Sequence, residues 1–273
     1  MGYYKHVKKN VWVEQWIGIS TDEIARMKPA RDKYIINRWP LLELNINRRQ
    51  CQDWFEKRGH RKPTKSACIC CPFHDDAHWQ DMKDNRPEEF ADAVDFDKKI
   101  RNGSRNVKDA LFLHRSAQPL DQVKFKPKKE QYDMFDKYYG TLLPQHDKSP
   151  KLVILSLGAG VQSSTMAMMA AEGHIKPMPD CAIFADTGYE PPDVYEYLNW
   201  LEKQLPFPIY RVMKGNIRDD MVNSVDNGTR FPTAPFFTVN AETGKKGMLM
   251  RQCTNDYKIQ PIRKKIRELL CSS

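Results

Sequence analysis

The run Leu152-Val-Ile-Leu155, emptying directly into Ser156-Leu-Gly-Ala-Gly-Val-Gln-Ser-Ser164, constrains this chain more than any other feature. A short apolar run is a buried strand, and Thr165 to Glu172 reads as a helix. The same rhythm continues with a strand at Cys181–Phe184, a helix at Val194–Gln204 and a third strand at Ile209–Val212. Strands alternating with helices predict an α/β fold with a doubly wound parallel sheet. Before this half, Val11–Ile19 alternates like a strand, and Ser20-Thr-Asp-Glu23 offers capping groups for a helix start. Asn47–Arg58 and Pro87–Ile100 read as amphipathic helices, and Ile259–Leu270 as a basic amphipathic tail helix. From Phe125 to Pro150 the composition shifts to Lys, Pro, Gln, Asp and Tyr, which predicts a linker with a short helix at Tyr132–Tyr138. The organisation expected is therefore 1–124, a linker at 125–150, and 151–273, with no internal repeat.

The glycine loop has a chemical reading. Gly158 and Gly160 let backbone amides turn toward a ligand, and Ser163 and Ser164 add hydroxyls and free amides at a helix start. That combination suits an anion. The loop lacks the Gly-Lys-Ser/Thr of a Walker A motif and the Gly-x-Gly-x-x-Gly of a Rossmann motif. By itself it is equally an ordinary strand–helix turn. Asp186-Thr-Gly-Tyr-Glu190 tips the balance, because it puts a carboxylate at the carboxyl end of the neighbouring strand, where open α/β sheets bind ligands. Together the two features favour a nucleotide.

With 273 residues, 40% hydrophobic and 29% charged, the chain can bury a sizeable core. No apolar run approaches the roughly 18 residues of a membrane span, and Met1-Gly-Tyr-Tyr-Lys-His has no apolar stretch behind it. The cytoplasm is the expected compartment. A net charge of +9 favours a polyanionic partner, although a solvated basic surface has the same composition. Basic residues cluster at Lys5–Lys9, Lys124–Lys129 and Arg263–Lys265.

Seven cysteines without a secretory context read as thiols or metal ligands. Cys68-Ile-Cys-Cys71 holds a C-x-x-C pair in a turn, and no second pair follows within reach of a zinc ribbon. Cys253, in Arg251-Gln-Cys-Thr-Asn-Asp-Tyr-Lys258, is the best distant partner, since its polar neighbours favour a thiolate. Cys51 and Cys181 read as core thiols, Cys271 as incidental, and Cys70 as either a ligand or a small filler.

With these residues assembled, the sequence resembles the phosphoadenosine-phosphosulfate (PAPS) reductase-like family of the PP-loop superfamily, and most closely a phage and bacterial branch of it. The matching segments are Ser156–Ser164, Ile183–Glu190, Gly247–Arg267, Glu14–Arg31, Trp39–Leu44, Lys65–His74 and Phe112–Ser116. The halves stand in the reverse of the family order, so the resemblance implies a circular permutant joined through the linker, with a smaller helical subdomain around the cysteines. It further implies that Ser156, Gly158, Gly160, Gln162, Ser163 and Ser164 hold phosphate or sulfate. Asp186 and Gly188 would face adenosine, and Arg26, Arg31 and Lys258 would surround the anionic leaving group. Cys68, Cys71 and Cys253 would ligate a four-iron four-sulfur (4Fe-4S) cluster, with another cysteine or an open iron completing it. The implied cofactors are that cluster and ATP or another adenine nucleotide, with Mg2+ as a candidate companion. Two departures from the family pattern are visible. Gln162 stands where adenylating members carry an acid, and no cysteine follows Phe112–Ser116 until Cys181, so the reductase's nucleophilic thiol has no counterpart.

The leading functional expectation is a sulfurtransferase that adenylates a base of tRNA or DNA and inserts sulfur. The alternatives are reduction of an adenylyl sulfate and a non-catalytic, zinc-stabilised nucleic-acid-binding module. The sulfur or electron donor is not specified by the residues, and a homodimer is compatible with them.

Overall fold

The computed structural model describes residues 11–103, 107, 109–126, 149–227, 231 and 234–272. The short helix expected at Tyr132–Tyr138 and most of the linker lie outside the described residues.

The chain begins with β1 (Val13–Ile17), a 3-10 turn (Thr21–Arg26), β2 (Ile35–Arg38), α1 (Pro40–Glu43) and α2 (Arg48–Arg58). Next come the cysteine turn, α3 (Asp76–Asn85), α4 (Pro87–Lys99) and β3 (Ala110–Phe112). Past the linker, β4 (Leu152–Leu157), α5 (Val161–Ala171), β5 (Cys181–Asp186), α6 (Pro192–Glu202) and β6 (Ile209–Met213) alternate. They are followed by α7 (Ile217–Asn227), β7 (Phe237–Val239), β8 (Lys246–Met248), a π-turn at Asn255–Ile259 and α8 (Gln260–Ser272).

Five strands form one all-parallel sheet in the order β2-β1-β4-β5-β6, compatible with a Rossmann-like fold. Strands from both sides of the linker share this sheet, with Val13 opposite Leu152 and Ile17 opposite Ser156. Interior parallel strands are apolar on both faces because helices cover both. Val153, Leu155 and Leu157 pack with Ala182 and Phe184 against α2, α5 and α6. Their alternates Leu152 and Ile154, with Cys181 and Ile183, pack against Ile262, Ile266 and Leu270 of α8. Val13 and Leu270 belong to that same apolar layer. Cys51 and Cys181 are core thiols, as their apolar neighbourhoods imply.

Several helix ends follow from local chemistry. Asn47 caps α2 with a full capping box to Gln50, and Gly59 ends it at φ 65°. α4 opens on Pro87 with Glu88 and Glu89 and closes on Lys98 and Lys99, matching the helix dipole. Two expectations are corrected. The helix read from Thr165 begins at Val161, because the extended backbone of Gly160 serves as its cap. Ser20 caps nothing with its side chain, and the segment it opens is a kinked 3-10 turn.

A second core draws on both sides of the linker. Trp79, Phe96, Ile100, Leu111, Met221, Phe236 and Tyr257 are fully buried there, beneath an antiparallel sheet ordered β3-β7-β8. Among the described residues, no helix is long and apolar enough to cross a membrane.

Candidate nucleotide and cysteine site

From β1 the chain steps outward to β2, whereas from β4 it steps the other way to β5 and β6. The direction therefore reverses between β1 and β4, and open α/β sheets bind ligands outside the carboxyl ends at such a switch point. The glycine loop occupies this place. Its neighbour is Gly18, just past β1, where an added Cβ would stand 3.0 Å from the Ser163 nitrogen and 3.2 Å from its Cα. Only a residue without a side chain lets the two strand ends close this tightly.

The loop is stapled by its own atoms. The Gly158 amide donates to Ser163 Oγ at 3.1 Å, and that hydroxyl donates to the Gly160 carbonyl at 3.2 Å. Ala159 between them is buried and left-handed at φ 53°, a conformation that costs a non-glycine residue about 1–2 kcal/mol. Ser156, the last strand residue but one, accepts a bond from the Gln15 amide across β1. Ser164 turns inward: its side chain is fully buried, toward Tyr197 of α6.

Gln162 links the loop to the first half of the chain. Its amide donates to Glu23 Oε2 at 3.1 Å and, more weakly, to Ser20 Oγ, while Arg48 donates to its oxygen at 3.3 Å. Glu23 in turn pairs with Arg26 at 2.7 Å. Arg26 is thus one side chain away from the loop. Arg31 is not: it lies just before Asp32, whose carboxylate is held by Arg263 of α8, at the end where β2 begins. The structure brings Arg26 to the carboxyl edge and leaves Arg31 at the opposite one.

Asp186 ends β5 at the same edge as the glycine loop. Its Oδ1 accepts from the Gly188 amide at 2.7 Å and from the Tyr195 hydroxyl at 2.8 Å. Burial, and then the bond to Asp186, push the Tyr195 hydroxyl up, so it remains a donor. Gly188 has φ 70°, and a Cβ there would lie 2.9 Å from the Cα of Asn216.

The cysteine turn lies across these two loops. A Cβ on Gly160 would touch Ser66 at 3.7 Å, and the Ile69 amide donates to the Tyr189 carbonyl at 3.0 Å. Cys68 donates to Thr187 Oγ1 at 3.2 Å. Beside it, Lys258 meets Glu190 at 3.3 Å, and the Glu190 side chain is completely buried with Oε2 unpartnered among the described residues. Burial works to lower the Lys258 ammonium, but Glu190 and then Cys68 outweigh it and hold it above its ordinary value. Burial and then Glu190 push the Cys68 thiol up to about 12. Cys70, fully enclosed, is raised by burial and by Cys68, Cys71 and Cys253. Cys71 is raised by burial, with Cys253 adding to it.

The donors thus converge from two distant segments, and their chemistry suits a thiolate-bound centre. They do not close into a cage: among the described residues, no group of three or more His, Cys, Asp or Glu is set to hold a metal ion. Sequence reasoning missed Ser66, Thr187 and Glu190. The last two stand in Asp186-Thr-Gly-Tyr-Glu190, where Asp186 and Gly188 alone drew attention.

Comparison of the chain with protein-family models, with curated proteins and with solved structures yields no match.

Proposed function

We propose that the chain is a PP-loop sulfurtransferase that adenylates a base of a nucleic acid and replaces its carbonyl oxygen with sulfur, its two halves being a circular permutation of the PAPS reductase-like order. One observation carries this reading. The glycine loop at the switch point of the sheet and the cysteine turn approach so closely that a Cβ added to Gly160 would lie 3.7 Å from the Ser66 side chain, which puts a nucleotide's phosphates near the thiols.

On this reading, phosphates sit on the loop amides and the first turn of α5, with Mg2+ as counter-charge, and Asp186 is turned to the nucleoside. The acceptor's carbonyl oxygen attacks the α-phosphorus, forming an O–P bond as the bond to the β-phosphate breaks and pyrophosphate leaves. A sulfur nucleophile from an external donor then adds to the activated carbon, and AMP departs with the original oxygen. Lys258, kept cationic by Glu190, offsets the negative charge that develops between the phosphates and the thiols. Arg26 lies at the same edge, one Glu23 contact from the loop. Cys68, Cys71 and Cys253 would hold a 4Fe-4S cluster, which when bound supplies electron or sulfur transfer that zinc could not.

The test is anaerobic purification followed by a pyrophosphate assay with ATP and bulk tRNA or single-stranded DNA. The expected protein is brown, bleaches on reduction and releases pyrophosphate only with acceptor present. Cys253→Ala should remove the colour as fully as Cys68→Ala, whereas Cys181→Ala keeps it. Gly158→Val should abolish nucleotide binding in calorimetry while the fold persists. A colourless protein carrying one zinc, or undiminished nucleotide affinity in Gly158→Val, overturns the proposal.

A further inference from the structure

A second concave region lies outside the loop and the thiols. It is a cavity of about 520 Å3 lined by Asp76, His114, Arg115, Ser116, Lys124 and Lys126 among others. Asp76, at the start of α3, organises it. One carboxylate oxygen accepts from His114 and Arg115, and the other accepts the Lys126 backbone amide at 2.9 Å. His114 is pinned on its other side by Ser116, whose hydroxyl lies 2.9 Å and whose amide 3.1 Å from Nδ1. This Ser-His-Asp chain invites comparison with a hydrolytic triad. The geometry speaks against one: Nδ1 already accepts the backbone amide, and the Asp76 charge is answered by Arg115. The arrangement instead fixes a loop so that its cations project into the cavity. Neither Lys124 nor Lys126 meets a carboxylate among the described residues, so the cavity carries more positive than negative charge.

The basic surface continues beyond the cavity. Lys246, on β8, donates to the Ser116 carbonyl at 2.8 Å, which seats the β7–β8 hairpin on the cavity rim. Five residues along, Arg251 stacks its guanidinium over the Phe73 ring at 5.3 Å. Phe73 is 50% exposed, and it follows Cys71 by two residues. From Lys246 to Arg251 an extended chain spans at most about 17 Å. A row of cations with no acidic partner among the described residues thus ends on an aromatic ring beside the thiols. Duplex backbones need only the charges; a ring placed at the end of such a row suits an unstacked base.

We infer that this surface, Lys124, Lys126 and Lys246 leading to the Phe73–Arg251 stack, binds a single-stranded segment of nucleic acid, with its phosphates on the lysines and one exposed base on Phe73. The inference rests on the proposed function insofar as it supplies that activity's acceptor, and it names a docking track distinct from the nucleotide loop.

The experiment is fluorescence anisotropy of the full chain with a labelled 12-nucleotide single strand and with the same sequence as duplex, each at two salt concentrations. The single strand should bind more tightly, with affinity falling steeply as salt rises. Lys124→Glu/Lys126→Glu and, separately, Lys246→Glu should each weaken binding at least tenfold and flatten the salt dependence. Phe73→Ala should weaken it roughly tenfold with the salt dependence unchanged, since stacking carries no charge. These side chains are exposed or at the rim, and circular dichroism checks that each variant is folded. Calorimetry with an ATP analogue separates the two claims: these variants should keep nucleotide affinity, and Gly158→Val should lose it while still binding the strand. Duplex preference, or binding indifferent to the lysine reversals or to Phe73→Ala, overturns the inference whatever the fate of the nucleotide site.

Discussion

The glycine loop and the cysteine turn lie against each other, yet the bonds that shape their backbones differ in reach. The loop is closed by bonds between residues 5 and 3 positions apart, Gly158 to Ser163 and Ser163 to Gly160. The cysteine turn has local bonds too, from the Cys71 amide to Cys68 and from the His74 amide to Cys71, but its Cys68 thiol finds its partners 119 and 122 positions away, at Thr187 and Glu190. The loop's closing bonds form with its own strand and helix, whatever its further links through Gln162. The setting of the thiols exists only while the core around them is intact, so the two should respond differently to the same injury.

The largest effects come from core truncations. Phe96→Ala and Phe184→Ala should each cost about 3–5 kcal/mol in urea denaturation, as large aromatic deletions do. Phe96 shares its core with Ile69, Cys70 and Tyr189, whereas Phe184 is on β5 of the parallel sheet and packs in the other core. Below the unfolding transition, Phe96→Ala should therefore speed reaction of the cysteine-turn thiols with a disulfide reagent, and Phe184→Ala should not. Equal acceleration in both would break the contrast.

Next come the two loops' glycines. Gly188→Ala must tolerate φ 70° and a Cβ 2.9 Å from backbone, and should cost about 2–3 kcal/mol. At Gly158 the nearest atom to a new Cβ is Ser163 Oγ at 3.8 Å, ordinary contact, so Gly158→Ala should change stability by less than about 1 kcal/mol. A larger loss at Gly158 than at Gly188 would reverse the comparison.

A pH effect is expected on the cysteine side alone. Burial, with Lys65 and Arg86 adding to it, pushes His78 down to about 4, although Asp75 and Asp81 pull the other way. Its neighbour His74, whose ring lies 4.0 Å from it, is also lowered, first by burial. A lowered histidine is neutral when folded and binds its proton when unfolded. Its contribution is complete above the unfolded value near 6.5 and is lost as pH falls from there toward 4. His78→Gln should flatten part of the decline in thermal midpoint between pH 6.5 and 4.5. An unchanged slope would assign the decline to other groups.

The smallest effect should come from Ala159→Gly, which relieves the left-handed strain but loosens the unfolded chain. The difference is a gain of no more than about 1 kcal/mol, measured by thermal melting.

What could be read from the sequence follows the same division. β4 and β5 declare themselves through contiguous apolar runs, β6 and the helices between follow from the alternation, and the loop and Asp186 come with them. β2 is four residues long, and β3, β7 and β8 are three each, too short for a periodic signal. α7 has only Ile217, Met221 and Ser224 buried, so its stripe is thin. Glu190 could not be distinguished from a surface acid, because its burial depends on Lys258 and Cys68 arriving from elsewhere. Ser164, assigned to the anion by its place in the loop, faces the core once Val161 rather than Thr165 starts the helix.

The order of strands in the sheet also has a consequence in time. β1 lies between β2 and β4, and Gln15 finds Ser156 141 positions later. While the chain is being synthesised, β1 and β2 emerge well before β4, and among the described residues between β2 and β4 none pairs with the edge of β1 from Val13 to Ile17. Two parallel strands are too little to stand alone. The nascent chain therefore waits with a sticky apolar edge until β4 leaves the ribosome, and its exposure to chaperones and to other nascent chains is set by the length of what is translated in between.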